Sequence, residues 1–309
     1  MKVRVRSFLV VPCTAALLGL PGPLVVQAAA VPSIVHAPRV PWPFGPGQGQ
    51  GRFGTRNSWA ASNWSGYAET GTFKGVAGTW TVPAVSASSS STYSSAWIGV
   101  DGFNNSNLIQ TGTEEDYYRG AAHYSAWWEI LPAAETVISH PVSPGDRMSA
   151  SIYETTTSAG STGILRRRSS GYIWVITIAD TTAGHTWTDT LNEAYSGAGA
   201  SAEWVVEAPE VGGRVATLAN YSFGTANNLG TTLGDFDNTG TLATQVSNGS
   251  PVYSPASLNY TADSGVMIQN SVQVSTPGDP NPASTAPPAA AGIAFNAQYG
   301  SALPGTPSS

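Results

Sequence analysis

The chain has 309 residues, 41% of them hydrophobic, enough for one substantial core or two small ones. Only 10% are charged, against roughly a quarter in an average globular protein, while glycine (34) and proline (22) are plentiful. Such a chain lacks the Lys and Glu that long surface helices use and the basic stripe that nucleic acid requires, so short strands joined by turns are expected and nucleic acid is not expected as a partner.

At the N-terminus Lys2, Arg4 and Arg6 precede a mostly apolar stretch over 8–20 and a run of small residues near Ala28 to Ala30. This is the layout of a secretory signal peptide, assigned to 1–30. Pro12, Pro21 and Pro23 interrupt the apolar run and nothing later is long enough to span a bilayer, so a secreted, extracellular protein without a membrane partner is expected. The single cysteine, Cys13, falls in that segment, which leaves the exported chain no thiol for disulfides, nucleophilic catalysis or metal binding.

Residues 31–56 carry three arginines, His36, five prolines and no carboxylate, whereas residues 57–276 carry 18 Asp and Glu against seven Lys and Arg, a formal balance of −11. A cationic leader and an anionic body attract each other at neutral pH, and the attraction fades as carboxylates protonate below about pH 4. The segment therefore reads as a basic, acid-released propeptide; a plain Pro/Gly-rich linker is the alternative. With few cationic groups, the body would also carry little self-repulsion in acid. The Arg166 to Arg168 triplet reads as a solvated hairpin tip.

The body reads as strand after strand. "AGTWTVPAV", "SSAWIGVDG", "HYSAWWEILP", "RMSASIYET", "GYIWVITIAD", "HTWTDTL", "AEWVVEAPE" and "SVQVSTP" are rich in β-branched and aromatic residues and bounded by Gly, Pro, Ser or Asn. No stretch shows a sustained 3.6-residue apolar period with caps. The fold class is therefore all-β: a two-sheet antiparallel β-sandwich, concanavalin or jelly-roll-like, over 57–276, followed by a Pro/Ala-rich C-terminal tail over 277–309 with one strand-like patch, "IAFNAQYG".

Side chains alternate across a strand, which sorts the polar residues by face. Trp97, Gly99 and Asp101 oppose Ala96, Ile98 and Val100; Leu108, Gln110 and Gly112 oppose Ile109 and Thr111; Trp127 and Glu129 oppose Ala126, Trp128 and Ile130; Glu203, Val205 and Glu207 oppose Trp204 and Val206. A solvated face would not need those tryptophans, and a sealed one would not accept unpaired carboxylates. A concave substrate groove accounts for both.

The groove's chemistry is narrowed by what is missing. There is no G-x-S-x-G elbow, the four histidines show no triad pattern, and no zinc or EF-hand spacing occurs, so neither metal nor cofactor is expected. Glu114, Glu115 and Asp116 read as an acidic loop after a strand end. Glu203 and Glu207, four apart on one face, would stand roughly 13 Å apart, too far for a glycosidase pair, although either could pair with Glu129 or Asp101 on a neighbouring strand. A glycoside hydrolase, or a carbohydrate-binding module using the tryptophans, stays open alongside a carboxylate working with an amide.

"NWSGY" (63–67), "TWTVP" (79–83), "AWIGVDG" (96–102), "LIQTG" (108–112), "YSAWWEILP" (124–132), "PGD" (144–146) and "AEWVVE" (202–207) resemble, in order and spacing, the glutamic peptidases, or eqolisins, over about residues 60–275. The resemblance implies a secreted, acid-acting, monomeric endopeptidase on a β-sandwich, acting on polypeptide substrates and made with its own propeptide as an intramolecular inhibitor. It implies a catalytic dyad of Gln110 and Glu207, with Trp97 and Asp101 supporting it and Trp127 and Glu129 lining the same face. The chain departs from fungal members at Ala208-Pro209, at Leu131 and in lacking cysteines in the body, which fits a bacterial-type member and leaves substrate preference open.

Overall fold

The computed structural model describes residues 32–42, 59–158, 172–223, 236–247, 250–256, 258–276, 293–300 and 306–307. The segment 1–30 expected to be a signal peptide, the Arg166 to Arg168 triplet, residues 43–56 and most of 277–309 lie outside them.

The strands in chain order are β1 (Ile34–Val35), β2 (Trp59–Ala61), β3 (Trp64–Thr70), β4 (Gly75–Thr81), β5 (Ala84–Val85), β6 (Ser95–Val100) and β7 (Ile109–Tyr118). There follow β8 (Ala121–Ile130), β9 (Thr136–Ile138), β10 (Arg147–Ser158), β11 (Tyr172–Asp180), β12 (Trp187–Tyr195), β13 (Ser201–Glu207) and β14 (Glu210–Val211). The last are β15 (Tyr221–Ser222), β16 (Phe236–Ser247), β17 (Ser250–Pro255), β18 (Ser264–Met267), β19 (Gln273–Val274), β20 (Ile293–Phe295) and β21 (Ala297–Gln298). Among the described residues the one helical element is a 3-10 turn at Gln269–Ser271.

Two large sheets form a β-sandwich. One runs β12-β11-β10-β4-β16-β17 with β20 added on β16; the other runs β2-β18-β3-β13-β6-β7-β8-β9. Pairing is antiparallel except between β18 and β2, which run parallel. Ala96, Ile98, Val100, Ile109, Ala126, Trp204 and Val206 of the eight-stranded sheet meet Val76, Trp80, Ile152, Trp174 and Ile176 of the other, forming the main core. The large rings there keep their polar atoms paired across the sandwich, as buried indoles must. Trp204 Nε1 donates to the Ala77 carbonyl at 2.9 Å, and Trp80 Nε1 donates to Thr113 Oγ1 at 2.9 Å.

The opposite face of the eight-stranded sheet carries a second cluster: Trp59, Trp64, Trp97, Leu108, Trp127 and Val205. The alternation thus divides each strand as expected. One expectation is corrected. Glu114, Glu115 and Asp116 are not in a loop: they lie inside the ten-residue strand β7 and are buried. Their run of polar side chains hides the strand because three consecutive carboxylates break any apolar alternation. The strand-like C-terminal patch joins the sheet: Phe295 pairs with Phe236 and packs on Tyr67 with ring centroids 4.8 Å apart.

Candidate active site

Strand register places the polar residues of the second face in rows. Glu203, Gly99, Gln110 and Glu129 form one row across β13, β6, β7 and β8; Val205, Trp97, Gly112 and Trp127 form the next; Glu207, Ser95, Glu114 and Ser125 form the third. Gly112 is required by the middle row: a Cβ there would lie 2.4 Å from Trp97 Cβ and 2.5 Å from the Ala96 carbonyl oxygen. The glycine lets β6 and β7 close beneath the Trp97 indole.

Residues 33–42 belong to the same compact unit as the two sheets. Of the leader, this part lies across the rows. Ile34 and Val35 pair antiparallel with Val211 and Glu210, and Pro41 bridges to Ala61 at the other end. Between them His36 is fully buried. Its backbone N–H donates to Glu129 Oε2 at 3.0 Å, and its carbonyl accepts from Gln110 Nε2 at 2.8 Å. Its imidazole lies flat on Trp127, with ring centroids 3.6 Å apart and planes within 4°. Nδ1 is 3.2 Å from Glu207 Oε2, and Nε2 is 2.9 Å from Glu114 Oε1 and 3.5 Å from Glu135 Oε2.

Downstream, the Ala37 carbonyl accepts from Trp64 Nε1 at 3.1 Å, and Asn63 Nδ2 donates to the carbonyls of Ala37 (3.4 Å) and Pro38 (3.2 Å). Asn63 Oδ1 accepts from the Val40 N–H at 2.8 Å. The Arg39 guanidinium donates to the Phe103 carbonyl and sits 4.1 Å from the Phe103 ring.

Five of the six residues singled out from the sequence converge here. Gln110 and Glu207 both touch His36; Glu129 accepts from Gln110 Nε2 at 2.6 Å; Trp97 Nε1 donates to Glu207 Oε2 at 2.8 Å; Trp127 is the platform for the ring. Asp101 is the exception. Its carboxylate accepts from Tyr195 Oη (2.7 Å), Gly199 N (3.0 Å), Ala200 N (2.8 Å) and Asn105 Nδ2 (2.9 Å), so among the described residues it anchors the turn that feeds β13 rather than touching Gln110 or Glu207. Asp101 itself is held at φ 72°, in the left-handed region that costs a non-glycine residue strain.

Burial dominates the protonation of these groups. It raises the pKa of Glu207, opposed by hydrogen bonds and charge from His36 and by Trp97. It pushes Glu129 up to about 8, against the His36 charge, and Glu114 up to about 8, again against His36. Burial pulls the other way on His36, but the charge and hydrogen bond of Glu114, with hydrogen bonds from Glu135 and Glu207, outweigh it and hold the imidazole well above its usual range. The donor atoms of His36, Glu114 and Glu135 lie within 4.8 Å of one another, as do those of Asp146, Asp180 and His185. In the first group the His36 imidazole stands as the countercharge to Glu114 and Glu135; in the second, His185 lies 2.8 Å from Asp180 Oδ2 and 3.5 Å from Asp146 Oδ1.

His36, Asn63, Trp64, Glu114 and Glu135 were not among the residues singled out. Glu114 was findable, because it shares strand parity with Gln110 and Gly112. His36 was not, because nothing local links it to partners 74 to 171 positions away.

A sequence profile described as the peptidase A4 family matches residues 62–270. Aspergillopepsin-2 of Aspergillus niger is 29% identical over 205 residues, covering 59% of this chain and 68% of that protein. Scytalidopepsin B of Scytalidium lignicola is 36% identical over 103 residues, 32% of this chain and 38% of its own length. Among solved structures, scytalido-glutamic peptidase with a transition state analog inhibitor aligns at 27% identity over 52% of this chain and 75% of that one, with a TM-score of 0.41.

Proposed function

Because this chain belongs to the peptidase A4 family and is thereby a glutamic-type peptidase, we propose that Gln110 and Glu207 are its catalytic dyad and that it works as a secreted, monomeric acid endopeptidase. The glycoside hydrolase and carbohydrate-binding alternatives lose their footing with that membership.

The observation that carries the reading is the double engagement of His36: Gln110 Nε2 donates to its carbonyl oxygen while Glu207 lies against its side chain. Put a substrate's scissile carbonyl where the His36 carbonyl sits. Ionised Glu207 takes a proton from water, the hydroxide equivalent adds to the carbonyl carbon, and the oxygen that gains the negative charge is met by the Gln110 amide. Glu207 then returns the proton to the amide nitrogen as the C–N bond breaks. The carboxamide donates at every pH because it does not titrate. Glu129 fixes its orientation through the 2.6 Å contact, and the Trp97 indole fixes that of Glu207.

The leader, 31–56, serves on this reading as an intramolecular inhibitor of polypeptide cleavage, with residues 33–42 holding the place of substrate and of the attacking water. The test is digestion of denatured protein at about pH 2 to 5 by the parent, Gln110→Ala and Glu207→Gln proteins. Loss of roughly 10²-fold or more in kcat is expected for each. Digestion by both variants at the parental rate would overturn the dyad.

A further inference from the structure

Residues 34–40 lie in the groove as an extended peptide whose backbone is read group by group. Ile34 and Val35 add to β14, the His36 N–H goes to Glu129, the His36 carbonyl goes to Gln110, and the Ala37 carbonyl goes to Trp64. If Gln110 holds the reacting carbonyl, a step that rests on the preceding reading, then His36 stands in for the residue on the acyl side of the bond to be cut. Its side chain occupies the pocket for that residue.

The pocket is matched to an imidazolium ring. One face is the Trp127 indole, parallel and in contact. The far edge is Glu114 at 2.9 Å with Glu135 at 3.5 Å, both largely or fully buried. The titratable groups facing the ring are thus Glu114 on β7, Glu207 on β13, Glu129 on β8 and Glu135 ahead of β9, all acidic. A Leu or Phe ring edge in this place would leave Glu114 and Glu135 buried against carbon, without a donor. An ammonium could offer charge but no plane to stack, whereas the imidazolium supplies flat surface and two N–H donors at once. We propose that this subsite selects histidine at the position preceding the scissile bond, with Glu114 as the residue that sets the preference.

The selectivity belongs to binding first. In the leader, Nδ1 also takes the Glu207 oxygen that would hold water, so a tightly seated histidine slows its own turnover while lowering KM or Ki. The experiment uses synthetic peptides of the sequence from Ile34 to Trp42 with His, Phe, Leu or Lys at the place of His36. They compete against digestion of denatured protein by the full chain after acid incubation, and cleavage of the peptides themselves is read by mass spectrometry. The His peptide should have a KM or Ki about tenfold or more below the others, and Glu114→Gln should shrink the ratio of His to Phe affinities toward one. Equal affinities, a preference for Phe or Leu, or a His preference that survives both Glu114→Gln and Glu135→Gln would overturn the proposal. A parent protein that digests nothing would instead count against the dyad reading, and peptide binding read by quenching of the groove tryptophans then decides the pocket.

Discussion

Gln110 and Glu207 stand on strands separated by β6, and both grip one residue, His36, by its carbonyl and its ring. Both are fully buried, and His36 of the leader is among the groups that contact each of them.

Removing the grip should therefore release activity. In the full chain, His36→Ala deletes the stack on Trp127 and the contacts with Glu114 and Glu207 while leaving the two sheets intact. Latent activity before processing should rise several-fold, and the leader should be cut faster by an added protease. A variant as silent and as resistant as the parent would show that the imidazole contributes nothing to holding the segment.

Acid incubation of the precursor should yield an N-terminus between Asn57 and Asn63, read by terminal sequencing. The near end of that window is favoured, because Trp59–Ala61 pairs with β18 and the Trp59 ring is buried. A mature protein still starting near Val31 would rule out a removable leader.

Gly112→Ala probes the floor of the groove. The added carbon collides with Trp97 Cβ and the Ala96 carbonyl, so either the strands part or the indole moves, and the indole carries the hydrogen bond to Glu207. A stability loss of about 1–3 kcal/mol and a kcat loss of about tenfold or more are expected. Unchanged kcat in a folded variant would separate Trp97 from the orientation of Glu207.

Stability should fall as pH rises. Glu114 and Glu129 are raised from 4.5 to about 8, so the unfolded chain ionises them first. Their contribution is complete below about pH 4.5 and is lost as pH climbs through about 8, at up to about 1.4 kcal/mol per pH unit for each group. His36, also raised, acts in the same direction. Thermal unfolding at pH 4, 6 and 8 should give a descending Tm; a Tm highest at pH 8 would contradict it. For the leader contact the sign is opposite: the His36 charge and hydrogen bonds lower Glu114, Glu129 and Glu207 against the upward push of burial, so protonating those carboxylates in acid weakens their hold on the ring.

The two-sheet architecture and the division of each strand into faces were legible because alternation is local: Trp97, Gln110, Trp127, Glu129 and Glu207 declare their side by parity alone. Asp101 shares parity with Trp97, but it lies past the end of β6 at φ 72°, and its carboxylate accepts from Tyr195, Gly199, Ala200 and Asn105, partners that parity does not announce. Glu114 was findable by parity, but the two carboxylates after it made the run read as a loop; one of them, Glu115, points into the main core and accepts from Thr113 Oγ1 at 2.5 Å. Burying so much acid becomes reasonable only once a histidine from a distant segment is seen among it.

The late strands carry a consequence for biosynthesis. Tyr67 donates to the Ser275 carbonyl at 2.6 Å across 208 positions, and Phe295 closes over the same ring. A ribosome must therefore release nearly the whole polypeptide before the sandwich can finish assembling, and nascent His36 waits through most of translation for its acidic seat. Closure of the two sheets therefore waits on strands that come late in the chain.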